Sequence, residues 1–169
     1  MRRTPNTMPA FAAAALLALA GCGTGPIKVP EDASSVTGGL GLRLWHAKTD
    51  TRQYEYFTVD PNGTLGYGGG MKGFDRLVDW TGPLTKDEAA RLREIVMAAH
   101  WLDAESPGRE GKDPVRTEVC VLNGSAERSF AISGPDEAVN RTVELLSKAA
   151  QRRFDRFMQR LPEAGVQAR

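Results

Sequence analysis

Five of the eight residues in GYGGGMKG, Gly66 to Gly73, are glycine, and glycine clusters are what a backbone uses to close around a phosphate. The spacing Gly68-Gly69-Gly70-Met71-Lys72-Gly73 satisfies G-x-G-x-x-G. A dinucleotide site also needs a strand before this motif and a helix after it, so that the helix N-terminus meets the pyrophosphate. Here FDRLVDW, Phe74 to Trp80, runs into Gly82-Pro83 too soon for such a helix. A P-loop fails as well, because Gly73 follows Lys72 where Ser or Thr must reach magnesium. No nucleotide and no cofactor is therefore expected. The stretch reads as a loop or bulged strand end that turns a corner, with Gly68, Gly69, Gly70, Met71 and Lys72 as a candidate binding surface.

The remaining reactive side chains are few. The chain's two histidines are His46, on a strand pattern, and His100, at a helix end. Zinc needs three or four ligands, and neither histidine has a His or Cys at ligand spacing; Asp103 and Glu105 follow His100 within a breaker-rich loop. No metal site is expected, and His100 reads as a cation complementing a helix C-terminus. Cys120 falls at a strand centre and reads as a small hydrophobe. Ser125, Ser129 and Ser133 lack a G-x-S-x-G setting, so no catalytic triad is expected. An envelope hydrolase using His46 or His100 with nearby carboxylates is the alternative to a non-catalytic protein.

The N-terminus says where such chemistry would act. Arg2 and Arg3 precede an apolar run from Ala10 to Ala20 and small residues before Cys22, the three parts of a secretory signal. The run is far shorter than the ~20 residues a membrane-spanning helix needs. Leu19-Ala20-Gly21-Cys22 resembles the lipobox of bacterial lipoproteins. That resemblance implies cleavage after residue 21 and a diacylglycerol on Cys22, with further acylation such as palmitate. Two or more chains anchor a protein stably. Gly23 stands where aspartate favours inner-membrane retention in related lipoproteins, which leans toward the outer membrane.

Of 22 basic and 21 acidic residues, the signal removes Arg2 and Arg3 and leaves 20 against 21. A near-neutral chain gives no electrostatic footprint for nucleic acid. With Cys22 lipidated, Cys120 is the remaining thiol and no intramolecular disulfide forms.

The elements follow from periodicity. Residues 22–39 form a lipidated cysteine and a Pro, Gly and Ser-rich tether, 40–161 one α+β domain, and 162–169 a tail. LGLRLWHA from Leu40 and QYEYFTV from Gln53 alternate with period two and read as strands, with a turn at Asp60-Pro61-Asn62-Gly63. Thr85 and Glu88 make a capping box for a helix with Ala89, Leu92, Ile95, Val96 and Ala99 on one face, ending near His100 or Trp101. Asp103 to Pro114 reads as an exposed loop. A hairpin pairs Val115–Leu122 with Glu127–Ile132 through Asn123-Gly124. A final helix begins near Ser133 or Pro135, with Val139, Val143, Leu146, Ala150, Phe154, Phe157 and Leu161 in one stripe. Arg141, Lys148, Arg152, Arg153, Arg156 and Arg160 lie away from that stripe and read as a solvated face. Strands, helix, hairpin, helix predict an antiparallel sheet with two helices packed on one face.

From Thr58 to Leu146, the order of glycine stretch, strand, LT-x-x-E helix (Leu84-Thr85…Glu88) and hairpin is similar to that of emfourin-like inhibitors of thermolysin-like metallopeptidases. The resemblance implies peptidase inhibition as one form of binding and assigns no inhibitory residue. The combined expectation is a lipid-anchored envelope protein with a small non-catalytic binding domain. It would present Gly66–Gly73 and Asp103–Pro114 to a periplasmic protein. A purely structural envelope lipoprotein is a further alternative.

Overall fold

A computed structural model of the chain describes residues 37–103 and 107–158, with the side chains of 153 and 156–158 excepted. The signal, Cys22, most of the tether, Glu105, Leu161 and the tail lie outside the described residues, as do the side chains of Arg153, Arg156 and Phe157.

Six strands form one antiparallel sheet: β1 Leu40–Lys48, β2 Gln53–Val59, β3 Thr64–Gly69, β4 Trp80–Pro83, β5 Val115–Asn123 and β6 Ala126–Ser133, in the order β4-β3-β2-β1-β5-β6. Three helices among the described residues accompany them: α1 Gly70–Phe74, α2 Lys86–Ala98 and α3 Glu137–Met158. The fold is α+β, with the two long helices, α2 and α3, on one face of the sheet, as the element order predicts.

Alternation decides which face they cover. Leu42, Leu44 and His46 of β1 stand opposite Val59, Phe57 and Glu55 of β2 and Val121, Val119 and Thr117 of β5. These positions share one face, and their apolar members join Leu65, Ile132, Leu92, Val96, Val139, Leu146 and Ala149 in a continuous core. β1, paired on both sides, carries the centre of that core. The long helices bury their apolar stripes here, so among the described residues the opposite face, with Arg43, Trp45 and Tyr56, has no long helix over it.

Local chemistry sets the boundaries. At the start of α2, the Thr85 hydroxyl accepts from the Glu88 amide, and the Glu88 carboxylate accepts from the Thr85 amide, at 3.2 and 2.7 Å. At its end, Trp101 N–H donates to Val96 O and His100 N–H to Met97 O. This is a Schellman closure in which His100 takes the left-handed position usually given to glycine, at φ 57°. The closure turns Trp101 inward to 1% exposure, where its ring meets Phe130 edge-on at 5.8 Å.

Three expectations need correction. Periodicity does not locate β4, which the resemblance implied only as a strand between the glycine stretch and the LT-x-x-E helix: four residues containing Gly82 and Pro83 carry little strand signal of their own, and they pair because β3 offers an edge. The β5–β6 turn sits one residue later than predicted. Asn123 pairs with Ala126, leaving Gly124-Ser125 as the two-residue turn with only Gly124 at positive φ, as in a II′ rather than an I′ turn. Along α3 the stripe is buried through Ala150, but Phe154 is 54% exposed. The helix outruns the layer it covers.

Candidate functional site

The glycine stretch is less a loop than two tightly packed pieces. Gly66, Gly68 and Gly69 belong to β3. Gly70, at φ 59°, turns the chain into the five-residue α1, and residues 75–79 fold back over the open face of β3. The glycines permit that approach. A Cβ on Gly68 would run into the Leu77 carbonyl, one on Gly73 would stand 2.5 Å from Tyr54 O, and one on Gly66 would press on Thr58 and Val78. The Trp45 indole N–H donates to Gly73 O at 3.0 Å, and Phe74 packs edge-on against Tyr54 at 5.0 Å. The corner is turned as expected, but of the five residues expected to make contacts Gly68 is buried and Gly69 half-buried, leaving Gly70, Met71 and Lys72 exposed. The flap of residues 70–79 also exposes apolar side chains: Met71 at 69%, Phe74 at 49%, Leu77 at 48% and Val78 at 39%.

Beside the flap the open face forms a trough of about 560 Å³ lined by Arg43, Trp45, Tyr56, Arg76, Glu118 and Glu127 among others. Arg76 reaches from the flap to Glu118 at 2.7 Å, and its guanidinium lies 5.1 Å from the Trp45 ring centroid, a cation–π contact. Arg116 shares Glu118 at 3.2 Å, and Arg43 pairs with Glu127 at 3.0 Å. Three guanidiniums thus divide two carboxylates over a half-exposed aromatic floor. Cys120 also lines this trough, its thiol donating to Glu127 at 3.1 Å, rather than lying among hydrophobes. The face was legible: alternation puts Arg43 and Trp45 opposite Leu42 and Leu44, and two helices on one side leave the other side bare.

The histidines lie in different surroundings. His100 is exposed and bonds Asp103 through Nδ1 at 2.8 Å, a surface pair at the end of α2. His46 is 4% exposed on the helix-facing side of the sheet, Nδ1 2.8 Å from the Thr117 hydroxyl. That hydroxyl is itself buried and has no other acceptor among the described residues. Nδ1 and the hydroxyl therefore share one hydrogen bond, whose direction follows the imidazole tautomer. Burial, and next the charge of Lys48, hold His46 below the ordinary imidazole value.

Glu55 stands opposite His46 in the β1–β2 register. Burial raises its carboxyl above the usual range, against the lowering effects of the Ser147 hydrogen bond at 3.3 Å and of Lys48. Tyr67 is likewise raised, by burial first and then by Glu55 and Asp79. A pocket of about 390 Å³ opens here, lined by His46, Lys48, Arg52, Gln53, Glu55 and Tyr67 among others. No hydrogen bond joins His46 to Glu55 among the described residues. Glu55 and Tyr67 could not be found from the sequence, because only the register brings them beside His46.

The Asp103–Pro114 segment is not free along its length. Arg109 forms a one-residue bridge to β6: its N–H donates to Ala131 O, its carbonyl accepts from Ser133 N–H, and its guanidinium reaches the Ser133 and Pro135 carbonyls. The segment thereby covers the β6 edge, which would otherwise offer unpaired backbone groups. On α3, Lys148 pairs with the exposed Glu144, as a solvated face would, whereas Arg152 reaches across to the nearly buried Glu88 of α2.

Among the described residues no group of three or more His, Cys, Asp or Glu could hold a metal ion, and no helix is long and apolar enough to cross a membrane. Comparison with protein-family models finds no match to the chain, and comparison with curated proteins finds none.

Proposed function

We propose that this chain is a lipid-anchored lipoprotein of the bacterial cell envelope, held through Cys22, whose domain binds a protein partner without catalysing a reaction. The observation that carries the reading is the pairing of an aromatic and arginine face, turned away from α2 and α3, with a flap exposing Met71, Phe74, Leu77 and Val78. Interfaces favour such composition, because aromatic, Met and Arg side chains bury large areas while still offering directional contacts. Apolar residues spaced this closely on a surface mark an interaction site more often than a solvated loop. The resemblance to emfourin-like inhibitors makes a peptidase one fitting partner. Gly23 after the acylated cysteine favours the outer membrane as the site of anchorage.

The test is in-cell chemical crosslinking of the full-length chain, with Cys22→Ser as the unanchored control, read by mass spectrometry. The expected result is one dominant envelope protein, captured from the membrane fraction and lost when Met71, Phe74 and Leu77 are replaced by Ser. A capture profile identical with and without those side chains would contradict the reading.

A further inference from the structure

The trough and flap leave unused the pocket on the other side of the sheet, where β1, β2 and β3 extend past the helices. The pocket is built rather than incidental. Gly69, opposite Glu55, lacks the Cβ that would stand 2.6 Å from the Tyr67 hydroxyl. That vacancy lets the phenol lean along β3 toward Glu55. His46 forms part of the wall and is more than nine-tenths buried, with Nδ1 committed to Thr117 and no partner for Nε2 among the described residues. It can meet a ligand only through Nε2 or ring carbon.

The donor set favours one ligand chemistry. Lys48 and Arg52 supply two cations, Tyr67 and Gln53 supply neutral donors, and His46 Nε2 adds a third in the tautomer that carries the proton there. Glu55 is the single carboxyl among the lining residues, and the Ser147 hydroxyl already serves it. We infer that this pocket binds a small carboxylate, its charge met by Lys48 and Arg52 and its oxygens by Tyr67 and His46. The pocket shares Gly70 and Tyr54 with the flap, whereas Lys48, Arg52 and Glu55 belong to it and not to the trough.

Two ionised carboxylates would repel in so small a space, so Glu55 must be protonated when the ligand is bound. Burial already moves it that way. The other charged groups facing the pocket are Lys48 and Arg52, and Asp79 acts on Tyr67. The helix α3 contributes Ser147, which does not titrate. Binding therefore takes up a proton at neutral pH, and affinity falls as pH rises.

The test follows the His46 imidazole by nitrogen NMR in the full chain held in a non-ionic detergent. The probes are propionate, N-acetylglycinate, ethylammonium and inorganic phosphate. Propionate and N-acetylglycinate are expected to shift His46 saturably, leave His100 unmoved, and bind more weakly as pH rises. Lys48→Gln, which removes a charge-assisted bond at an exposed position, is expected to weaken both by about tenfold. Gly69→Ala, which displaces the Tyr67 hydroxyl while its backbone remains in an ordinary region, is expected to do the same. N-acetylglycinate far tighter than propionate would identify a peptide terminus as the source of the carboxylate, and equal affinities a free acid. The inference is overturned if neither carboxylate shifts His46 saturably, if ethylammonium or phosphate binds in their place, or if both variants leave affinity unchanged.

Discussion

His46 and Glu55 face one another across β1 and β2, and they respond to falling pH with opposite signs. The folded value of His46 lies below the ordinary one, so the unfolded chain takes up the proton first and stability is lost as pH falls through the ordinary imidazole range. Glu55 is raised in the fold, so the folded chain keeps a proton that the unfolded chain has released. Its contribution is present at low pH and lost as pH rises through its folded value. Glu55→Gln removes that loss. Thermal melts should show the variant above its parent at neutral pH, with the gap closing toward the ordinary carboxyl value of 4.5; a variant melting lower at neutral pH would contradict the assignment. At this scale the sequence is readable where partners are near in the chain. Thr85 and Glu88 declare their capping box three residues apart, whereas Glu55, Tyr67 and Ser147 meet His46 only through strand register and helix docking. Trp101 is another such case, since its burial depends on the turn that His100 makes.

Among the elements, the flap and the end of α2 each store a local demand on one position. Gly68→Ala places a methyl against the Leu77 carbonyl, which cannot swing aside as a side chain could. The variant should lose about 1–3 kcal/mol, as overpacked sites do, and protease should then nick residues 70–79 first. Unchanged stability and protease resistance would mean that the flap does not rest on β3. His100 pays a backbone cost at φ 57°, and its Asp103 pair is too exposed to offset it. His100→Gly should therefore gain roughly 0.5–1 kcal/mol in denaturant unfolding, and a loss would show that the His100–Asp103 pair outweighs the strain. The long amphipathic helices and the β5–β6 hairpin were legible because periodicity or turn residues announce them. β4 and the Arg109 bridge were not, since each is a short segment whose hydrogen bonds come from a neighbouring strand's edge.

For the whole molecule, the decisive feature is asymmetry between the two faces of one sheet. Alternation along β1, β2 and β5 sends the large aliphatic side chains, Leu122 excepted, to the helix side, which α2 and α3 close into a core. The same alternation must send Arg43, Trp45, Tyr56 and Glu118 to the other side, where the flap returns to cover part of them. The general architecture could be read from the sequence because it depends on this period. The flap's position could not, because glycine density signals close approach without saying what approaches. The central claim is that this open face and flap meet a protein partner while the helix layer does not. Site-specific photocrosslinking in living cells tests it directly, with the crosslinking residue placed in turn at Met71 on the flap and at Arg141 on the outer face of α3. The account predicts one discrete adduct from position 71 and none of that mass from position 141. Adducts from position 141 alone, or the same adducts from both, would contradict it.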